Sequence, residues 1–171
     1  MKDYIMLNHA LKEITDGKKD KIIFVRQASR VKDSEDIGLL PGTEEEKLYW
    51  TLGPIKDIVG ELELDSLIEQ GVIESVNLGF IRGRSFKNAI VYCTEAQNLT
   101  SSHIKLIMSR IGENSELFIN GDYHQSDKKI FERDNGIGAL KKKLAGNKNF
   151  GCVHLKKTER GEISDLANLL D

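Results

Sequence analysis

Two short polar clusters, each placed directly after an apolar run, hold the residues of this chain best suited to chemistry. The first follows Ala89-Ile-Val-Tyr-Cys93 and reads Thr94-Glu95-Ala-Gln-Asn98. The second follows Glu116-Leu-Phe-Ile119 and reads Asn120-Gly-Asp122, with Gln125 three residues on. A carboxylate at the end of a buried apolar run is costly unless it meets a metal, a cation or water. Glu95 is therefore suited to orienting a water molecule. Thr94 has a hydroxyl that could contact Mg²⁺ directly or through a shell water, more weakly than an anion would. An amide such as that of Gln125 can sense a terminal phosphate. Each residue also has a plainer reading: Glu95 can cap the helix that follows its strand, and Asp122 can serve a turn or a helix N-cap.

These clusters need elements to position them. The apolar runs read as buried parallel strands, and between them Ile104, Ile107, Met108 and Ile111 lie at helical intervals. Strand, helix and strand make one crossover unit with both clusters at the same sheet edge, the edge where open α/β sheets hold ligands. A helix is expected through Ile14, stopped by Gly17, and it should bury Ile5, Met6, Leu7, Ala10, Leu11 and Ile14. A buried strand over 21–27 follows, then a polar loop over 28–42. A helix over 44–57 should be kinked or split at Gly53-Pro54, and a short helix covers 64–70. Residues 72–86 read as a connector into the strand at 89. Beyond Gln125 come a charged helix interrupted at Gly136 and Gly138, a last strand over 151–157, and a terminal helix capped by Ser164. Alternating strands and helices mean an α/β layer fold around a mostly parallel sheet.

Composition narrows the classes. The chain has 171 residues, of which 39% are hydrophobic and 30% charged, a profile of one globular domain rather than a disordered one. Its net charge of −2 gives no overall attraction to nucleic acid or to an anionic membrane. Cys93 and Cys152 each fall in an expected strand and are read as buried reduced thiols. The four histidines have no metal-ligand spacing, and no apolar window is long enough to cross a membrane. A cytoplasmic protein of a bacterium, or of a cell infected by a virus, is expected. Among cations, Arg82 and Arg84 precede the strand at 89, and Arg160 follows the one expected at 151. Arg160 is the best placed to neutralise a phosphate, while Lys141-Lys142-Lys143 reads as a solvated helix face.

Taken together, the motifs resemble the PhoH-like family, predicted ATPases linked to phosphate starvation and similar in core to the first domain of superfamily 1 helicases. The resemblance rests on Gly38-Leu-Leu-Pro-Gly42 with Glu46-Lys47, Gly53-Pro54-Ile55 before Asp57, Arg82-Gly-Arg84-Ser85, Glu95-Ala-Gln-Asn98, Ser109-Arg110-Ile-Gly112, Asn120-Gly-Asp122 with Gln125, and Glu159-Arg160. It implies a P-loop NTPase (RecA-like) three-layer α/β fold that binds ATP and Mg²⁺. In it Glu95 acts at the catalytic water, Gln125 senses the γ-phosphate and Arg160 serves as an arginine finger. It also implies association with RNA and permits a homo-oligomer in which Arg160 reaches a neighbour.

Two departures accompany the resemblance. Thr94 stands where the family has a metal-binding Asp. Lys2 and Asp3 stand where the phosphate loop ends in Lys-Thr, without the glycines that would cradle phosphates. On this reading Lys2, Asp3, Asp122 and Arg84 contact the nucleotide and Thr94 the metal. Residues 1–171 are expected to form a single ATPase domain, N-terminally truncated, whose sheet lacks its first strand and phosphate loop. Such a piece should bind ATP weakly. The competing expectations are a non-catalytic interaction protein that keeps the fold and a stand-alone RNA-binding domain.

Overall fold

The computed structural model describes residues 2–26, 49, 52–122 and 135–155. Among these residues four strands form one sheet: β1 (Lys21–Arg26), β2 (Ile73–Asn77), β3 (Ala89–Cys93) and β4 (Glu116–Ile119). All three pairings are parallel and the spatial order is β2-β1-β3-β4. Five described helices accompany them: α1 (Lys2–Thr15), α2 (Gly53–Val59), α3 (Glu61–Glu69), α4 (Ser101–Met108) and α5 (Gly136–Leu144).

Side chains of the central strands alternate between two cores. Ile22, Phe24, Ile90 and Tyr92 point to the face covered by Leu7 and Ala10 of α1, Ile55 of α2 and Leu64 of α3. Ile23, Val25, Val91 and Cys93 point to the other face, covered by Ile104 and Ile107 of α4. Strands buried on both faces in this way must read as continuous apolar runs, and β1 and β3 do. Local signals set the helix ends. Gly17 stops α1 with a φ of +68°. Thr100 and His103 form a reciprocal capping box at the start of α4. The Asn135 side chain accepts from the Gly138 amide at the start of α5.

The interruption expected at Gly53-Pro54 takes the form of a helix start. Pro54 occupies the first turn of α2, where its missing N–H has no intrahelical partner to lose. Other expectations are corrected. Met108 and Ile111 are not equal partners in the α4 core, since Met108 is 39% exposed and Ile111 follows the helix. On α1, Ile5 is 51% exposed, whereas Leu7 and Ala10 are fully buried. β2 lies in the segment read as a connector. Residues 151–155 form no strand and are exposed, Cys152 included, because apolar and β-branched composition cannot hold a strand without a ladder partner. The loop expected at 28–42, the helix before Gly53 except Tyr49, and the terminal helix at Ser164 lie outside the described residues.

Connection order gives the sheet a reversal. From β1 the chain passes through α2 and α3 on one face to reach β2 at one edge. It then returns to β3 on the other side of β1 and passes through α4 on the opposite face to reach β4. Crossovers therefore diverge between β1 and β3, and the carboxyl ends of those two strands border the crevice that such a reversal opens. No helix among the described residues is long and apolar enough to cross a membrane.

Candidate functional site at the carboxyl edge of the sheet

Both polar clusters lie at this edge, and backbone hydrogen bonds fuse them. The Asn120 amide donates to the Cys93 carbonyl at 3.0 Å, and the Ala96 amide donates back to the Asn120 carbonyl at 3.0 Å. The β3–β4 ladder is thus carried one step past the last strand residues. Gln97, 1% exposed, locks the two segments together. Its Nε2 donates to Glu95 Oε2 at 2.7 Å and its Oε1 accepts from the Asp122 amide at 3.0 Å. One buried amide thereby fixes the Glu95 carboxylate relative to the Asp122 backbone.

Glu95 takes a left-handed backbone, φ 52° and ψ 34°, at the start of the short 3₁₀ turn Ala96–Asn98. A non-glycine residue held there stores strain that neighbouring contacts must offset, a pattern common at functional sites. The consequence is geometric: Ala96, Gln97 and Asn98 turn inward and are buried while Glu95 stays exposed. Gly121 permits the close approach of the second segment. A Cβ on it would fall 2.6 Å from Ile137 Cδ1 and 2.9 Å from both the backbone nitrogen and Oε1 of Gln97.

The first turn of α1 closes the edge from one face. Lys2 Nζ donates to the Gly121 carbonyl at 3.1 Å. Asp3 Oδ1 accepts from the Tyr92 hydroxyl at 2.6 Å and from Asn120 Nδ2 at 3.0 Å, and Asn120 Nδ2 also lies 3.0 Å from the Tyr92 hydroxyl. Burial pushes the Asp3 carboxyl up, but the hydrogen bonds from Tyr92 and Asn120 prevail and hold it below the usual carboxylate range. Burial first, and then the bond to Asp3, keeps the Tyr92 hydroxyl protonated far above its ordinary range. Burial likewise pushes the Cys93 thiol up to about 12, which disfavours the thiolate that nucleophilic chemistry needs.

Of the residues chosen from sequence, the structure brings Lys2, Asp3, Thr94, Glu95 and Asp122 to this edge. It does not bring Arg84. That guanidinium pairs with Glu74 of β2 at 2.7 Å and lies 4.9 Å from the centroid of Phe86, with β1 and β3 between β2 and β4. Gln125 and Arg160 lie outside the described residues. Gln97, Asn120, Tyr92 and Arg26 also stand at this edge, outside the candidates that residue type and spacing point to. The signal for Gln97 and Asn120 was their place inside the strand-end clusters, but only the fold reveals that both are buried.

Among the described residues, the donors around Thr94 do not by themselves make a Mg²⁺ site. Thr94 contributes a neutral hydroxyl, and the residue after Val25, the ladder partner of Cys93, is the cation Arg26. Asp3 Oδ1 is already committed to two hydrogen bonds. Among the described residues no three acidic, histidine or cysteine side chains gather as a metal site would require.

The family profile described as PhoH-like protein matches residues 2–165. A PhoH-like protein of Bacillus subtilis (strain 168) is 32% identical over 162 residues, covering 92% of this chain and 50% of that protein. Protein PhoH2 of the same organism is 36% identical over 142 residues, covering 78% of this chain and 32% of its own length. Protein PhoH of Escherichia coli (strain K12) is 35% identical over 114 residues, covering 63% and 32% respectively. The chain spans about half the length, or less, of these relatives.

Proposed function

This chain belongs to the PhoH-like family and has an α/β fold of P-loop NTPase type with an all-parallel sheet, and on that premise we propose that its carboxyl edge is the nucleotide site of an ATPase. The observation that carries the proposal is the fusion of the two strand-end clusters through Gln97. It holds an exposed carboxylate, Glu95, in fixed relation to the Asp122 backbone, beside a lysine on the first turn of a helix.

The residues divide the work. Lys2 supplies positive charge for phosphate oxygens, exchanging the Gly121 carbonyl for a phosphate on binding. Glu95 accepts a hydrogen bond from the attacking water and orients it; its strained backbone and its bond from Gln97 keep it from swinging away. Asp122 follows the glycine that brings the end of β4 against the 96–98 turn; a γ-phosphate bound at this junction would lie beside both clusters. Mg²⁺ carried in with ATP would supply neutralising charge to the phosphates, and no described residue of this chain is assigned to hold it. Gln125 as γ-phosphate sensor, Arg160 as arginine finger, RNA coupling and a homo-oligomer complete the proposal from the family resemblance.

The test is ATP hydrolysis by the full-length protein with Mg²⁺, compared with Glu95→Gln. Turnover should fall by about 10²-fold or more while ATP binding persists, since a water-orienting group acts in the reaction and not in binding. Equal, measurable turnover in the two proteins would contradict the assignment. Thr94 in place of a carboxylate favours a second reading, a binding protein that retains the fold without hydrolysis. ATP binding with no turnover in either protein would select it.

A further inference from the structure

Two buried side-chain polar atoms among the described residues have no hydrogen-bond partner, Nε of Arg26 and Oγ1 of Thr94, and they belong to neighbouring residues. Val25 of β1 pairs with Cys93 of β3, so Arg26, the last residue of β1, and Thr94, the first residue past β3, directly follow that pair. Arg26 lies two positions after Phe24 in β1 and so shares its face, and Thr94 lies two positions after Tyr92; the Phe24 and Tyr92 rings lie 5.1 Å apart. The Arg26 guanidinium agrees with that direction, lying 5.5 Å from the Phe24 centroid. Thr94 is 6% exposed.

A buried polar atom without a partner forfeits the hydrogen bonds it made to water, and native proteins rarely tolerate it without an absent water or ligand. Here the two orphans are complementary to one species. Arg26 offers N–H donors with a fixed positive charge, Thr94 offers a hydroxyl donor, and no acidic side chain among the described residues forms an ion pair with Arg26. Topology supplies an independent reason. β1 and β3 are the strands between which the crossovers diverge, so Arg26 and Thr94 stand at the switch point where sheets of this type hold ligands. A carboxylate at position 94 would neutralise Arg26; a threonine leaves it without a carboxylate partner among the described residues.

We propose that Arg26 and Thr94 form a phosphoryl-oxygen site, so that an anion occupies the place where Thr94 replaces the family's metal-binding Asp. This rests on the nucleotide reading for the source of the phosphate, ATP. It makes nucleotide binding less dependent on Mg²⁺, because the protein itself supplies the neutralising charge at that rung.

The experiment is calorimetric titration of full-length protein with ATP and with inorganic pyrophosphate, in EDTA and again with excess Mg²⁺. The proteins compared are wild type, Arg26→Gln, Arg26→Lys and Thr94→Asp, each checked for folding by circular dichroism. Wild type should bind ATP in EDTA within a few-fold of its Mg²⁺ affinity. Arg26→Gln should weaken binding about tenfold or more in both conditions, the loss expected for a charge-assisted hydrogen bond, with partial recovery in Arg26→Lys. Thr94→Asp should lose binding in EDTA and regain it with Mg²⁺. If Arg26→Gln does not fold, Arg26→Lys and Thr94→Asp carry the decision. Pyrophosphate binding that depends on Arg26 without any ATP binding upholds the anion site and removes the nucleotide reading. ATP binding that ignores the substitutions at both positions upholds the nucleotide reading and overturns the anion site, and binding of neither ligand overturns it as well.

Discussion

At the scale of the residue, Asp3 ties the first turn of α1 to two strands at once. Its carboxylate accepts from Tyr92 of β3 and from Asn120 just past β4, and those bonds outweigh the cost of its partial burial. A carboxyl whose folded pKa is depressed adds stability above its unfolded pKa, and that stability is lost as pH falls through the folded value. Urea midpoints of wild type and Asp3→Asn should therefore differ most near neutral pH and converge as pH drops below about 4, the unfolded carboxylate value. A gap that is the same at pH 3 and pH 7 would show that hydrogen bonding alone, without charge, accounts for the contact. Glu95 and Asp122 were identifiable from sequence because polar residues after apolar runs are conspicuous. Asp3 was chosen only through the family resemblance, and its partners Tyr92 and Asn120 were not legible, because a contact between positions 3 and 120 has no local signature.

At the scale of the element, the meeting of the Ala96–Asn98 turn with the end of β4 depends on an absent side chain. A methyl group on Gly121 would meet the Gln97 backbone at 2.9 Å, and backbone cannot rotate away as the Ile137 side chain can. Gly121→Ala should destabilise the fold by about 1–3 kcal/mol by chemical denaturation, the usual cost of overpacking. It should also weaken ATP binding, because Asp122 loses its register with Gln97. An unchanged denaturation midpoint would contradict the packing. β1, β3, β4 and α4 were readable because apolar runs and helical spacing leave strong patterns. β2 was missed because Ile73-Glu-Ser-Val-Asn77 is a partly exposed edge strand with three polar residues in five. The segment from Gly151 misled in the opposite direction: its composition suits a strand, but Val153 is 85% exposed and residues 151–155 join no ladder.

At the scale of the whole molecule, connectivity decides where chemistry can occur. Helices of the β1–β2 connection cover one face and the helix of the β3–β4 connection covers the other, so the switch point falls at the carboxyl ends of β1 and β3, where Arg26, Thr94 and Glu95 stand. The class of fold and the use of one sheet edge were foreseeable from the alternation of elements. The strand order was not, since it depends on β2 pairing beside β1 rather than on any pattern within a segment. β4 is an edge strand among the described residues, and its four residues are only half-buried while those of β3 are fully buried. A parallel strand added beside β4 would protect that edge from unwanted pairing. The central claim is that ATP binds at the carboxyl edge, and hydrogen exchange of the full-length protein with and without ATP tests it most directly. Protection should appear at the backbone amides of residues 94–98 and 120–122, leaving the segment 82–87 unchanged. Protection confined to that segment, or no change at the two clusters under saturating ATP, would contradict it.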